Sequence, residues 1–79
     1  MPVETVSPPA ASAVTITVNG ASRSVVAPTT IETLILNLDL DLDAVAIERN
    51  RDIVRRNDWS ATVIEEHDTI EIVHFVGGG

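Results

Sequence analysis

VTITVNGASRSVVAPTTIETLILNL, residues Val14 to Leu38, changes its hydrophobic period halfway along. Val14, Ile16 and Val18 alternate with threonines, so one face of an extended strand is apolar and β-branched throughout. Asn19-Gly20 follows, a pair that tolerates the positive φ angles of a two-residue hairpin turn. RSVVA, Arg23 to Ala27, returns as a second strand, and Pro28, with no N–H to donate, stops it. Beyond Pro28 the period lengthens. Ile31, Leu34, Ile35 and Leu38 fall at i, i+3, i+4 and i+7, one face of a helix, and Leu36 falls off it. Thr29 and Glu32 have capping-box spacing, which predicts Thr29 as the N-cap.

The helix should end near Asn37 or Leu38. LDLDLD, Leu38 to Asp43, then imitates both a strand and the start of a calcium loop. Counted from Asp39, an EF-hand needs Gly at position six and Glu at twelve. Ala44 and Asn50 stand there, so the segment reads as a solvated loop with a leucine or two tucked into the core. AVAIE, Ala44 to Glu48, predicts a third strand with Val45 and Ile47 inward. Asn50 to Asp52 turns the chain into a short fourth strand around Ile53 and Val54. RRNDWSATVI is irregular, with one helical turn, and buries the Trp59 ring. TIEIVHFV, Thr69 to Val76, is the last strand. Its period places Ile70 and Ile72 in the core and Glu71, Val73 and Phe75 outside.

A hairpin, one helix and further strands make an α+β domain with the helix on one face of a mixed four- to five-stranded sheet. The first and last strands can lie side by side in the centre, with the helix as the crossover. That order is the β-grasp of ubiquitin-like proteins. The domain is expected over residues 14–76, between a flexible Pro-, Ala- and Ser-rich tail at 1–13 and a Gly-Gly-Gly tail at 77–79.

Composition narrows the function classes. The formal net charge is −7 and all five basic residues are arginines, which argues against a basic nucleic-acid surface. One Trp, one Phe and no Tyr supply no stacking platform for single strands. No apolar run approaches the roughly 18 residues of a membrane span. The N-terminus lacks the basic and apolar regions of a signal peptide. With no cysteine there is no disulfide framework, thiolate metal site or thiol nucleophile. An intracellular, cytoplasmic protein is expected, folded on an apolar core alone.

Side chains offer little catalytic chemistry. His67 and His74 lack metal-ligand spacing, and no metal site is expected. Serines and threonines show no nucleophile-elbow motif. Four of the five arginines lie between Arg49 and Arg56; they read as a solvated turn or as a group that pairs with acidic patches on a partner protein. The C-terminus differs. Gly77, Gly78 and Gly79 carry no Cβ and can thread a channel too narrow for any other residue. They can also bring a terminal carboxylate close to a partner's backbone; a linker or a simple fraying end is the alternative reading. Val73, Phe75 and Val76 predict an exposed apolar strip leading to that tail, suited to docking a partner. No catalytic residue of the chain's own is expected.

ITVNG, TTIETLILNL, VAIERN, IVRRNDW and DTIEIVHFVGGG, in this order and spacing, resemble the ThiS family of sulfur carriers of thiamine thiazole biosynthesis. The resemblance runs from Val14 to Gly79. It departs in turns: Asn50-Arg51 stands where members often have Asn-Gly, Arg55-Arg56 where they often have Pro-Arg, and His67-Asp68 where they usually have Gly-Asp. The resemblance implies a carrier that binds no cofactor and is not itself an enzyme. A ThiF-type, E1-like enzyme would use ATP to adenylate the Gly79 carboxylate. A cysteine-derived sulfur donor would convert it to a thiocarboxylate, and thiazole synthase (ThiG) would take the sulfur. Other β-grasp sulfur carriers fit the same residues: a molybdopterin synthase small subunit, a cysteine-biosynthesis carrier or a ubiquitin-related modifier. A β-grasp interaction module with incidental glycines is the remaining alternative.

Overall fold

A computed structural model of the chain describes residues 12–75. Strand β1 (Ala13–Val18) and strand β2 (Ala21–Val26) form the hairpin, in continuous register from Ala13↔Val26 to Val18↔Ala21. Asn19 and Gly20 take φ of 49° and 85°, the left-handed pair that matches the twist of the flanking strands. Helix α1 (Ile31–Asn37) follows, then a 3-10 turn at Leu42–Ala44, strand β3 (Val45–Arg49), strand β4 (Asp52–Val54), a 3-10 turn at Arg56–Asp58 and strand β5 (Thr69–His74). The sheet order is β2-β1-β5-β3-β4, with β1 and β5 parallel and the other pairs antiparallel. This is the five-stranded, mixed β-grasp sheet with one helix that the sequence predicts.

Alternation decides the core. Ile16 of β1, Val45 and Ile47 of β3, and Ile70 and Ile72 of β5 face the helix and are buried. From α1 come Ile31, Leu34 and Ile35. Trp59 and Ile64 close the side, and Leu38, Leu40 and Leu42 pack partly against the same cluster. The LDLDLD segment therefore tucks all three leucines into the core while its aspartates stay exposed. Each fully buried aliphatic side chain contributes about 1.5–3 kcal/mol relative to exposure.

The helix is only seven residues long and owes its stability to this packing. Its N-cap is Thr30, whose side-chain oxygen accepts from the Thr33 N–H at 3.2 Å. The expected cap, Thr29, lies one residue earlier and is committed elsewhere. Its hydroxyl donates to the Val26 carbonyl and its own carbonyl accepts from the Ile64 N–H at 2.8 Å. Thr30 also bridges to Val63. The N–H groups of Ile31 and Glu32, unpaired within the helix, donate to the carbonyls of Thr62 and Trp59. Trp59 in turn donates its indole N–H to the Val54 carbonyl at 2.8 Å, and the Arg56 guanidinium lies 5.0 Å above its ring.

Candidate functional site: the strand that leads to the terminal glycines

Val76, Gly77, Gly78 and Gly79 lie outside the described residues. What the structure describes is the strand that delivers the chain to them. Strand β5 lies in the middle of the sheet, bounded by β1 and β3. Its inward residues Ile70 and Ile72 are 0% and 9% exposed. Outward-facing Val73 and, just past the end of the strand, Phe75 are 56% and 53% exposed. The alternation expected from TIEIVHFV holds through Val73; His74 is exposed as well. Ala46 of β3 stands directly opposite Val73, and the Phe75 N–H donates to the Ala44 carbonyl at 2.7 Å. Glu48 and Glu71 face each other on the same outer surface, one register step behind.

The start of β5 is pinned by a buried carboxylate that the sequence reading did not single out. Asp68 is 5% exposed. It accepts from Arg49 Nε at 2.7 Å, from Asn50 Nδ2 at 3.0 Å and from the Glu65 N–H at 2.8 Å. Its backbone carbonyl accepts from the Thr17 N–H. Asn50 accepts from the Thr69 N–H through its side chain and donates its own N–H to the Thr69 carbonyl. Burial alone would push the Asp68 carboxyl upward. The Arg49 hydrogen bond, the Glu65 and Asn50 hydrogen bonds and the Arg49 charge together outweigh that and hold it below the usual carboxylate range. Within the arginine group, then, Arg49 is structural, Arg56 covers Trp59 and reaches Asp43 at 3.5 Å, and Arg51 and Arg55 stay exposed.

The far end of β5 is held differently on its two flanks. On the β3 side the ladder continues to His74, opposite Val45. On the β1 side strand pairing runs only through Thr17↔Thr69 and Val18↔Ile70, because the hairpin turn carries the chain away. There Asn19 continues the pairing, its N–H donating to the Ile70 carbonyl at 2.9 Å and its carboxamide meeting the Ile72 backbone.

Among the described residues no three metal-ligating side chains come together, and His67 and His74 are both exposed. No described helix is long and apolar enough to cross a membrane.

Known proteins of similar sequence and fold show the relationship. The sequence model of the ThiS family matches residues 16–79, from the first strand through the terminal glycines. The chain belongs to the ThiS family. The sulfur carrier protein ThiS of Bacillus subtilis is 40% identical over 50 residues, 63% of this chain and 76% of that protein. The crystal structure of the thiamine biosynthesis protein ThiS from Geobacter metallireducens superposes with a TM-score of 0.71 at 28% identity, covering 82% of this chain and 99% of that one. A thiazole synthase of Magnetococcus marinus is 44% identical over 61 residues, 77% of this chain. This ThiS-family chain spans 19% of the length of that thiazole synthase, and the same share of a second one, from Paramagnetospirillum magneticum.

Proposed function

We propose that this chain is a sulfur carrier for thiamine thiazole formation and that the carboxylate of Gly79 carries the sulfur. A carboxylate is a poor acyl donor until its oxygen becomes part of a good leaving group. An ATP-using enzyme of the ThiF type supplies that. A Gly79 carboxylate oxygen attacks the α-phosphorus of ATP, pyrophosphate leaves, and an acyl-adenylate forms. A persulfide derived from cysteine then attacks the acyl carbon. The C–S bond forms and the C–O bond to AMP breaks, giving an acyl disulfide; a second thiol attacks the donor sulfur, the S–S bond breaks, and the thiocarboxylate leaves as a donor disulfide forms. Thiazole synthase is the acceptor.

The observation that carries this reading is the family match, which reaches Gly79. Three glycines after a well-anchored strand suit a substrate that enters other proteins' active sites. Support for thiazole synthase comes from the two proteins of that name that contain a segment like this chain within a longer polypeptide. The chain binds no cofactor of its own in this scheme, and catalysis resides in its partners. Val73 and Phe75, exposed beside the exit, with Val76 next in sequence, form the docking strip.

The test is ATP–pyrophosphate exchange by the adenylating enzyme with this chain as substrate. Deleting Gly79 abolishes exchange. Phe75→Ala weakens it several-fold through KM while leaving the thermal unfolding transition in place, because the ring is half exposed. Exchange that persists without Gly78 and Gly79 contradicts the assignment of the reacting carboxylate. Unchanged kinetics in Phe75→Ala contradicts the docking strip.

A further inference from the structure

The hairpin turn does a second task at its first residue. Asn19 sits at φ 49°, where the chain leaves β1, so no further backbone of β1 is available to pair with β5. Its carboxamide has the same donor and acceptor as a peptide group. Asn19 Oδ1 accepts from the Ile72 N–H at 2.7 Å, and Nδ2 donates to the Ile72 carbonyl at 3.2 Å. The side chain thus stands in for the missing next residue of β1 and satisfies both polar groups of Ile72 on that flank. Ile72 is the residue immediately before the exposed Val73, and three before Phe75.

We propose that Asn19 is a positioning residue for the carrier's reaction: its carboxamide fixes β5 as far as Ile72 on the β1 flank, and so fixes how Val73 and Phe75 are presented to a partner. The role is specific to asparagine. Aspartate offers the acceptor for the Ile72 N–H but sets a second oxygen against the Ile72 carbonyl. Glycine suits the turn and supplies neither group. Few residues other than asparagine and glycine take left-handed φ readily, so turn and clamp converge on one side chain. Without the clamp, β5 beyond Ile70 is held on the β3 flank alone. The strip then samples more orientations, and only a fraction of them fit the partner. That lowers apparent affinity without altering chemistry once docked.

This inference rests on the carrier reading above, and the experiment separates the two. Wild type, Asn19→Gly and Asn19→Asp are compared as full chains in two measurements. The first is amide hydrogen exchange by NMR. In Asn19→Gly the Ile72 amide should exchange faster by on the order of tenfold, the size expected for losing two hydrogen bonds, while Ile47 in β3 is unaffected. The second is steady-state adenylation with carrier concentration varied. KM for Asn19→Gly should rise on the order of fivefold with kcat unchanged, and Asn19→Asp should fall between the two. A merely structural asparagine would lower the unfolding temperature and leave KM where it is. An unmoved KM in a folded variant, or an Ile72 amide as protected as in wild type, overturns the proposal. Should Asn19→Gly not fold, Asn19→Asp decides by the same two criteria. If wild type itself is not adenylated, the carrier reading fails, and exchange at Ile72 alone decides the clamp.

Discussion

Arg51 and His67 adopt φ of 75° and 71°, the left-handed region that disfavours side chains with a Cβ. These are two of the turn positions at which the family resemblance leads one to expect glycine. At both, the backbone takes a conformation that glycine adopts without steric cost. Both side chains are exposed, and the His67 imidazole lies 3.7 Å from the Glu66 carboxylate. Replacing either by glycine should therefore stabilise the domain by about 0.5–1 kcal/mol, a rise in unfolding temperature of roughly 2–8 °C for a domain this small. Calorimetry checks this; a fall in unfolding temperature would mean that the side chains contribute more than their conformation costs. Asp68 acts in the opposite sense. Asp68→Asn removes the charge and sets an amide against Arg49 and the Glu65 N–H, at a cost of about 2–3 kcal/mol near neutral pH. Because the folded carboxyl titrates below its unfolded value, its contribution is complete above the ordinary range near ~3.9 and is lost as pH falls through the lower folded value. Denaturant titrations should accordingly show wild type and Asp68→Asn converging in acid. A gap that stays constant as pH drops would exclude the ionised Asp68 as its source. None of this hub was legible in the sequence, because Arg49 and Asp68 are 19 residues apart and meet only once β3 and β5 pair.

At the scale of elements, the sheet has two edges and each is guarded. β4 is three residues long, too short to template another strand. β2 is six residues, paired throughout without a bulge, yet Arg23 stands opposite Ile16 and therefore on the helix-facing side of that edge. An inward-directed charge obstructs edge-to-edge association. Arg23→Val should promote self-association, visible as a concentration-dependent shift in sedimentation velocity; a variant that stays monomeric at high concentration would assign the protection to something other than this charge. The helix shows where local reading succeeds and stops. Ile31, Leu34 and Ile35 were legible as its buried face because the 3.6-residue period is written into neighbouring positions. The cap was misplaced by one residue, since the contacts that engage Thr29 come from Val26 before it and Ile64 far beyond it. Thr30→Ala should cost about 1 kcal/mol, and Thr29→Ala should lose no helix-capping bond; chemical denaturation of the two variants measures both.

For the whole molecule, one central strand carries stability and, in the proposed scheme, function. β5 is pinned at its start by Asp68 and Asn50, buried at Ile70 and Ile72, held by Asn19, and then exposed at Val73 and Phe75 before the glycines. The β-grasp arrangement, the side-by-side placing of first and last strands, and the exposure of Val73 and Phe75 were legible because each follows from a period-two pattern and the order of elements. The Asn19 clamp was not, since Asn19 and Ile72 are 53 residues apart and the Asn-Gly pair is already explained by its turn. The central claim is that sulfur rides on Gly79. Intact-mass spectrometry tests it most directly, after incubating the chain with ATP, a ThiF-type enzyme and a cysteine-derived sulfur source. The account predicts the mass gain of one oxygen replaced by sulfur, located by fragmentation to Gly79 and lost when Gly79 is deleted. An unmodified mass after productive adenylation, or sulfur found on any other residue, would contradict it.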